Sequence, residues 1–224
     1  MSRYTVRTAP TAERAPLTIF PSFEEARAFA DKNALYGGAV YDTAGRMLYA
    51  AGGEIGSAIL YHAKCICDTI RDEEFVYGHA PINPAFNHDA RIISCDRLVD
   101  WILYRAGFTD QPTVQGCVVS NLHVWCREMG FERITRIEDL RAGDIIFVNP
   151  HPSDGGPQHV FMLAEDEERG SALRYDHGSD QRIMSTQPTK EPVSYGNAPF
   201  LFAYRPVVTE ENNIFYNDLY ADQD

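Results

Sequence analysis

From residue 55 apolar residues recur at helical spacing up to about residue 130 and at strand spacing after residue 144. This change of period limits that part of the chain to folds in which helices precede a sheet. Ile55, Ile59, His62, Ile66 and Ile70 form one helical stripe over residues 55–71. Leu98, Val99, Ile102, Leu103 and Ala106 form a second over residues 94–106, closed by Gly107. A third helix is expected over 122–129, with Ser120 as N-cap and a stop at Gly130. Strands are read at 144–149, 158–164, 172–176, 182–185 and 200–205, between Gly, Pro and Asp turns. Helices first and strands second predict an α+β domain over residues 53–208, with helices packed on an antiparallel sheet.

A chain of 224 residues has room for a smaller unit beside that domain. Residues 1–52 read as a βαββ module: a strand over 3–7, a helix over 23–33 and two strands over 39–42 and 47–49. Ser22 and Glu25 stand at the spacing of a capping box for that helix. The module holds no catalytic constellation, so an accessory or targeting role is expected of it. Residues 209–224 form an acidic, polar tail.

The formal charge is -12, without a run of Lys or Arg, which argues against nucleic acid as a partner. No stretch reaches the roughly 20 apolar residues that a membrane span requires. The first 16 residues lack the apolar core of a signal peptide, so synthesis in the cytoplasm is expected, with action elsewhere only after lysis or a non-standard export. Oligomeric state is not legible. The five cysteines are an odd number without framework spacing, which favours the reduced state. Cys65 and Cys67 cannot project side by side from one helix face, and His123 with Cys126 makes only half of a four-ligand site. No metal site is therefore expected at either pair.

Two residues carry chemistry. Cys95 opens a helix directly after Ser94, where unsatisfied N–H groups and the helix dipole favour an anion and hence a thiolate. His159 opens the strand read at 158–164, after the turn Asp154-Gly155-Gly156-Pro157, so a sheet would hold an imidazole that the loop leaves reachable. A helix-N-terminal thiol with a strand-borne base is the pairing that nucleophilic catalysis needs. The loop from Tyr77 to Ser94 carries His79, Asn83, Asn87, His88 and Asp89 and is long enough to line a cleft.

The runs Phe75-Val76-Tyr77-Gly78, Ser94-Cys95-Asp96-Arg97-Leu98-Val99, Asp139-Leu140-Arg141-Ala142-Gly143-Asp144-Ile145-Ile146-Phe147 and His159-Val160 resemble, in this order, those of NlpC-type papain-like cysteine peptidases. The likeness spans about residues 55–205. It implies a papain-like fold, with Cys95 as nucleophile, His159 as general base and Tyr77 bordering the nucleophile, where it helps hold an oxyanion. It also implies a peptidoglycan stem peptide as substrate and no cofactor. The family's third polar residue, which orients the histidine, corresponds to Asp176, and His177 is the alternative. A carboxylate accepting the imidazole N–H fixes the tautomer, which favours Asp176; strand alternation allows only one of the two to face His159. The family's Asp-Cys-Ser-Gly is Ser94-Cys95-Asp96-Arg97 here.

Three functions follow as expectations. The first is cleavage of an amide bond in stem peptide through an acyl-enzyme. The second is a sugar–peptide amidase or an acyltransferase on the same fold. The third, which the charged residues after Cys95 favour, is a non-catalytic wall-binding or phage structural protein.

Overall fold

The computed structural model describes residues 3–7, 18–32, 39–43, 47–50, 55–72, 74–78, 91–109, 118–149, 155–177, 191–193 and 199–213. The first unit is a sheet backed by one helix. β1 (Tyr4–Arg7), β2 (Thr18–Phe20), β3 (Ala39–Tyr41) and β4 (Met47–Ala50) are antiparallel neighbours in the order β2-β1-β3-β4. α1 (Phe23–Lys32) buries Ala26 and Ala30 against Val6, Val40 and Tyr49. The Glu25 N–H donates to Ser22 Oγ at 3.3 Å, which is the serine half of the expected capping box. The expected βαββ order lacked β2. That strand is three residues long, and Ile19 is 60% exposed, so no alternation of burial marks it; backbone pairing with β1 defines it instead.

The second unit begins with α2 (Ile55–Asp72) and a short parallel pair, β5 (Val76–Tyr77) with β6 (Ile92–Ile93). α3 (Cys95–Arg105), α4 (Val119–Glu128) and β7 (Glu132–Ile134) follow. The strand-rich half holds β8 (Ile145–Val148), β9 (His159–Leu163), β10 (Ser171–Ala172), β11 (Arg174–Tyr175), β12 (Glu191–Pro192) and β13 (Phe200–Arg205). Four of these, with β7, form one antiparallel sheet in the order β11-β9-β8-β13-β7, which with the helices makes an α+β fold.

Both faces of the sheet are covered, which is why β8 and β9 read as continuous apolar runs. Ile145, Phe147, Val160 and Met162 share one core with α2, α3 and α4; Ile146, Val148, Phe161 and Leu163 lie in a second with Leu140, Ala172 and Val193. Full burial of each such side chain contributes roughly 1.5–3 kcal/mol. α3 is the central helix, with Leu98, Val99, Ile102, Leu103 and Ala106 buried. Its end is sharp. Gly107 takes a φ of 86°, and the Phe108 N–H donates to the Leu103 carbonyl at 3.0 Å. Cys95 at the other end lies in one core with Val160 and Met162 of β9.

Several expectations are corrected. α4 starts with Val118, not Ser120, in the N-cap position, because Val119, Leu122 and Cys126 are the residues its buried face requires. The buried face of α2 is wider than the isoleucine stripe and takes in Ala63 and Cys67. β7 was unforeseen because only Ile134 of its three residues is buried. The run 172–176 divides between β10, which pairs with β12 outside the large sheet, and β11, which pairs with β9. The strand expected at 182–185, the loop residues 79–90 and most of the acidic tail lie outside the described residues. No helix among the described residues is long and apolar enough to cross a membrane.

Candidate active site

Three elements bring the expected residues together. Cys95 is the first residue of α3, His159 the first of β9, and Asp176 follows β11, the neighbour of β9 in the sheet. His159 Nε2–H donates to Asp176 Oδ1 at 2.9 Å. Nδ1 is then the ring nitrogen left for the sulfur, and a hydrogen bond and the charge of Cys95 act on the same imidazole. Tyr77, on β5, places its hydroxyl 3.8 Å from Cys95 Sγ. Cys95 and Asp176 are each 1% exposed and His159 5%, so their charges act on one another with little screening by water.

Alternation along the strand separates the two candidates for the third residue. Asp176 faces His159, whereas His177 turns to Tyr77, with ring centroids 5.6 Å apart. The carboxylate is accordingly the group that meets the imidazole.

The electrostatics follow from this packing. Burial alone would strip the proton from His159. The Asp176 carboxylate, by charge and by hydrogen bond, and the Cys95 sulfur outweigh it and push the imidazolium up to about 10. Tyr77 is pushed well above the ordinary phenol range by burial, by the charge and hydrogen bond of Cys95, and by the charges of Asp96 and Asp176. It therefore keeps its O–H and remains a donor.

Around the cysteine the local structure departs from a simple cap. Ser94 has the extended backbone of an N-cap residue, yet its hydroxyl donates to Asp96 Oδ1 and makes no cap hydrogen bond. Asp96 is fully buried next to Cys95. Arg97 pairs along the helix with Asp100, Nη1 to Oδ2 at 3.5 Å.

One residue near the site went unread in the sequence. Arg174 is 8% exposed, its Nε stands 3.3 Å from Asp176 Oδ2, and its guanidinium lies 4.8 Å from the ring centre of Phe161. Its spacing of two from Asp176 on a strand was the available signal.

The remaining candidates sit elsewhere. His123 packs against Phe202 and Phe147, at 5.6 and 6.2 Å between ring centres, and burial lowers its proton affinity. Cys126 is wholly buried, and burial pushes its thiol well up. The Cys65 side chain lies outside the described residues, and Cys67 belongs to the core of α2. Among the described residues no group of three or more His, Cys, Asp or Glu is arranged to hold a metal.

What this arrangement can do chemically is form an ion pair between a sulfur anion and an imidazolium, with a fixed carboxylate behind it and a phenol beside it. Comparison with family models, with curated proteins and with solved structures finds no match to this chain, so its chemistry is read from the geometry of Cys95, His159, Asp176 and Tyr77 themselves.

Proposed function

We propose that the chain is a cysteine hydrolase that cleaves an amide bond in peptidoglycan stem peptide through an acyl-enzyme. The observation that carries this reading is the hydrogen-bonded His159–Asp176 pair acting on a cysteine at a helix N-terminus. The likeness of the Tyr77, Cys95, Gly143-Asp144 and His159 segments to NlpC-type peptidases supplies the substrate class and the papain-like description of the fold.

The Cys95 thiolate attacks the amide carbonyl carbon, and the carbon–oxygen π pair moves onto oxygen. The Tyr77 O–H and the Cys95 backbone N–H stabilise that oxyanion. As the oxyanion collapses, the carbon–nitrogen bond breaks and the His159 imidazolium gives its Nδ1 proton to the leaving amine. Neutral His159 then takes a proton from water, the oxygen of that water bonds to the acyl carbon, and the carbon–sulfur bond breaks. The acid leaves, and thiolate and imidazolium are restored.

Incubating purified bacterial wall with the wild-type chain and with Cys95→Ala tests this. Fragments carrying a new amine and a new carboxyl group are expected from the wild type alone. Equal release by both, or by neither across walls with different stem peptides, overturns the proposal.

A further inference from the structure

We infer that Arg174 is a positioning residue: its guanidinium, 3.3 Å from Asp176 Oδ2, holds that carboxylate ionised and turned toward His159 while the imidazole is neutral. The inference rests on the catalytic reading above for its place in the cycle, though the interaction itself is measurable without substrate.

Arg174 opens β11 and Asp176 directly follows that strand, and the two side chains meet Phe161 and His159 of β9. The Arg174 side chain lies between Asp176 Oδ2, at ion-pair distance, and the Phe161 ring, which is itself 6.0 Å from the His159 ring. The groups therefore follow one another across the site in the order guanidinium of Arg174, carboxyl of Asp176, imidazole of His159 and sulfur of Cys95. The groups that act on Asp176 come from three strands: Arg174 from its own, His159 from β9 and Tyr77 from β5. Those that act on His159 are Asp176 and, from α3, Cys95.

The acyl-enzyme is the state in which this matters. The sulfur is then a thioester without charge, and His159 must be neutral to accept a proton from water. Asp176, 1% exposed, would face that neutral ring as a buried anion. Among the described residues Arg174 is the other cation within ion-pair distance of it. A buried carboxylate without a cation holds a proton in its neighbourhood, either on itself or on the imidazole it touches. A proton on Asp176 forces the imidazole N–H onto Nδ1, and a proton kept by His159 occupies Nδ1 as well. Either outcome blocks the nitrogen that deacylation needs. A guanidinium, charged at any accessible pH, removes the difficulty without touching substrate.

The test uses the full chain with Cys95→Ala, which removes the sulfur and with it the charge that acylation would also remove, and follows the His159 ring nitrogens by NMR against pH. Adding Arg174→Gln is expected to raise the titration midpoint of His159 by about one unit or more, whereas Arg174→Lys, which keeps the charge, should leave it nearly unmoved. Should the Gln variant not fold, Arg174→Met, whose stem still covers Phe161, takes its place. A midpoint that ignores the charge at position 174, or that Lys moves as far as Gln, overturns the inference.

A second arm uses Arg174→Gln with Cys95 intact on wall substrate. Deacylation at neutral pH should fall about tenfold per unit of midpoint shift, so that a covalent adduct on Cys95 accumulates by mass spectrometry. An unchanged deacylation rate despite a raised midpoint overturns the place given to Arg174 in the cycle. If the wild type releases nothing from wall, the hydrolase proposal fails while the NMR arm still decides what Arg174 does.

Discussion

Asp176→Asn keeps the shape of the side chain and removes its charge, which makes it the sharpest perturbation of the site. The carboxylate accepts the His159 Nε2–H at 2.9 Å between groups 1% and 5% exposed. Two unit charges about 4 Å apart attract by about 4 kcal/mol at an effective dielectric of 20, and a neighbouring opposite charge moves a titration by about one to three units. His159 is held up to about 10 against burial that acts the other way. With the charge removed, only Cys95 opposes burial, and the His159 midpoint should fall by about one to three units. An amide also has an N–H₂ to donate to Nε2, which selects the tautomer protonated at Nδ1. By analogy with the serine-protease triad, where the wrong tautomer costs about 10⁴-fold in kcat, fragment release from wall should fall by about 10²- to 10⁴-fold.

Stability gives a third readout with a definite sign. The folded value of His159, about 10, lies above its ordinary value of 6.5. Its contribution to stability is therefore complete below about pH 6.5 and is lost as pH rises through about 10. Wild-type stability in urea should decline across that window, and Asp176→Asn should flatten the decline. A variant that folds but leaves the His159 midpoint in place, or that keeps a third of the wild-type turnover, refutes the role given to the carboxylate.

Tyr77→Phe removes the hydroxyl 3.8 Å from the sulfur and should lower kcat by about 10²-fold with little change in KM, measured on a defined stem peptide; retention of half the turnover takes Tyr77 out of the oxyanion site. His177→Asn should leave the His159 midpoint unmoved and cost turnover less than about fivefold, because His177 faces Tyr77; a loss as deep as that of Asp176→Asn exchanges the two roles. Arg205→Met strips buried Asp144 of two charged hydrogen bonds, each 2.9 Å, and leaves it the Arg141 N–H at 2.8 Å. Urea denaturation at pH 7 should show a loss approaching the 3–5 kcal/mol typical of a broken buried pair. Burial already raises Asp144, and removing Arg205 raises it further, so the loss should shrink as falling pH protonates the carboxylate; a pH-independent loss overturns that account.

The parts of the fold legible in the sequence are those where burial has a period. α3 was readable because Leu98, Val99, Ile102, Leu103 and Ala106 are all buried at helical spacing, and β8 and β9 because both sheet faces are covered. β2, β7 and β12 were not, since two or three residues at a sheet edge are held by backbone pairing, which leaves no pattern in side chains. The same division runs through the site. Cys95 and His159 mark the starts of elements, and such positions can be recognised one at a time. Which of Asp176 and His177 meets the imidazole depends on the register of β11 against β9, a fact about two strands at once. Arg174 was missed for that reason: a strand arginine usually reads as a solvated residue, and only the covered second face makes it a buried cation.

The charged residues after the nucleophile bear on the choice between an enzyme and a scaffold without activity. Small residues at these positions would keep a cleft open, so Asp96 and Arg97 look at first like obstacles to substrate. Their side chains are engaged close by: Asp96 Oδ1 accepts the Ser94 hydroxyl, and Arg97 reaches one turn along α3 to Asp100. Neither pairing takes up His159 Nε2, which remains with Asp176, or the Tyr77 hydroxyl, which remains beside the sulfur. The exchange of small residues for charged ones therefore changes the wall of the site while leaving the proposed acid–base groups in register. It also places a buried carboxylate next to Tyr77, where it helps keep the phenol protonated. Under the hydrolase proposal the burial of these four titratable groups side by side has a reason, since each costs free energy in a water-poor interior unless the others are present.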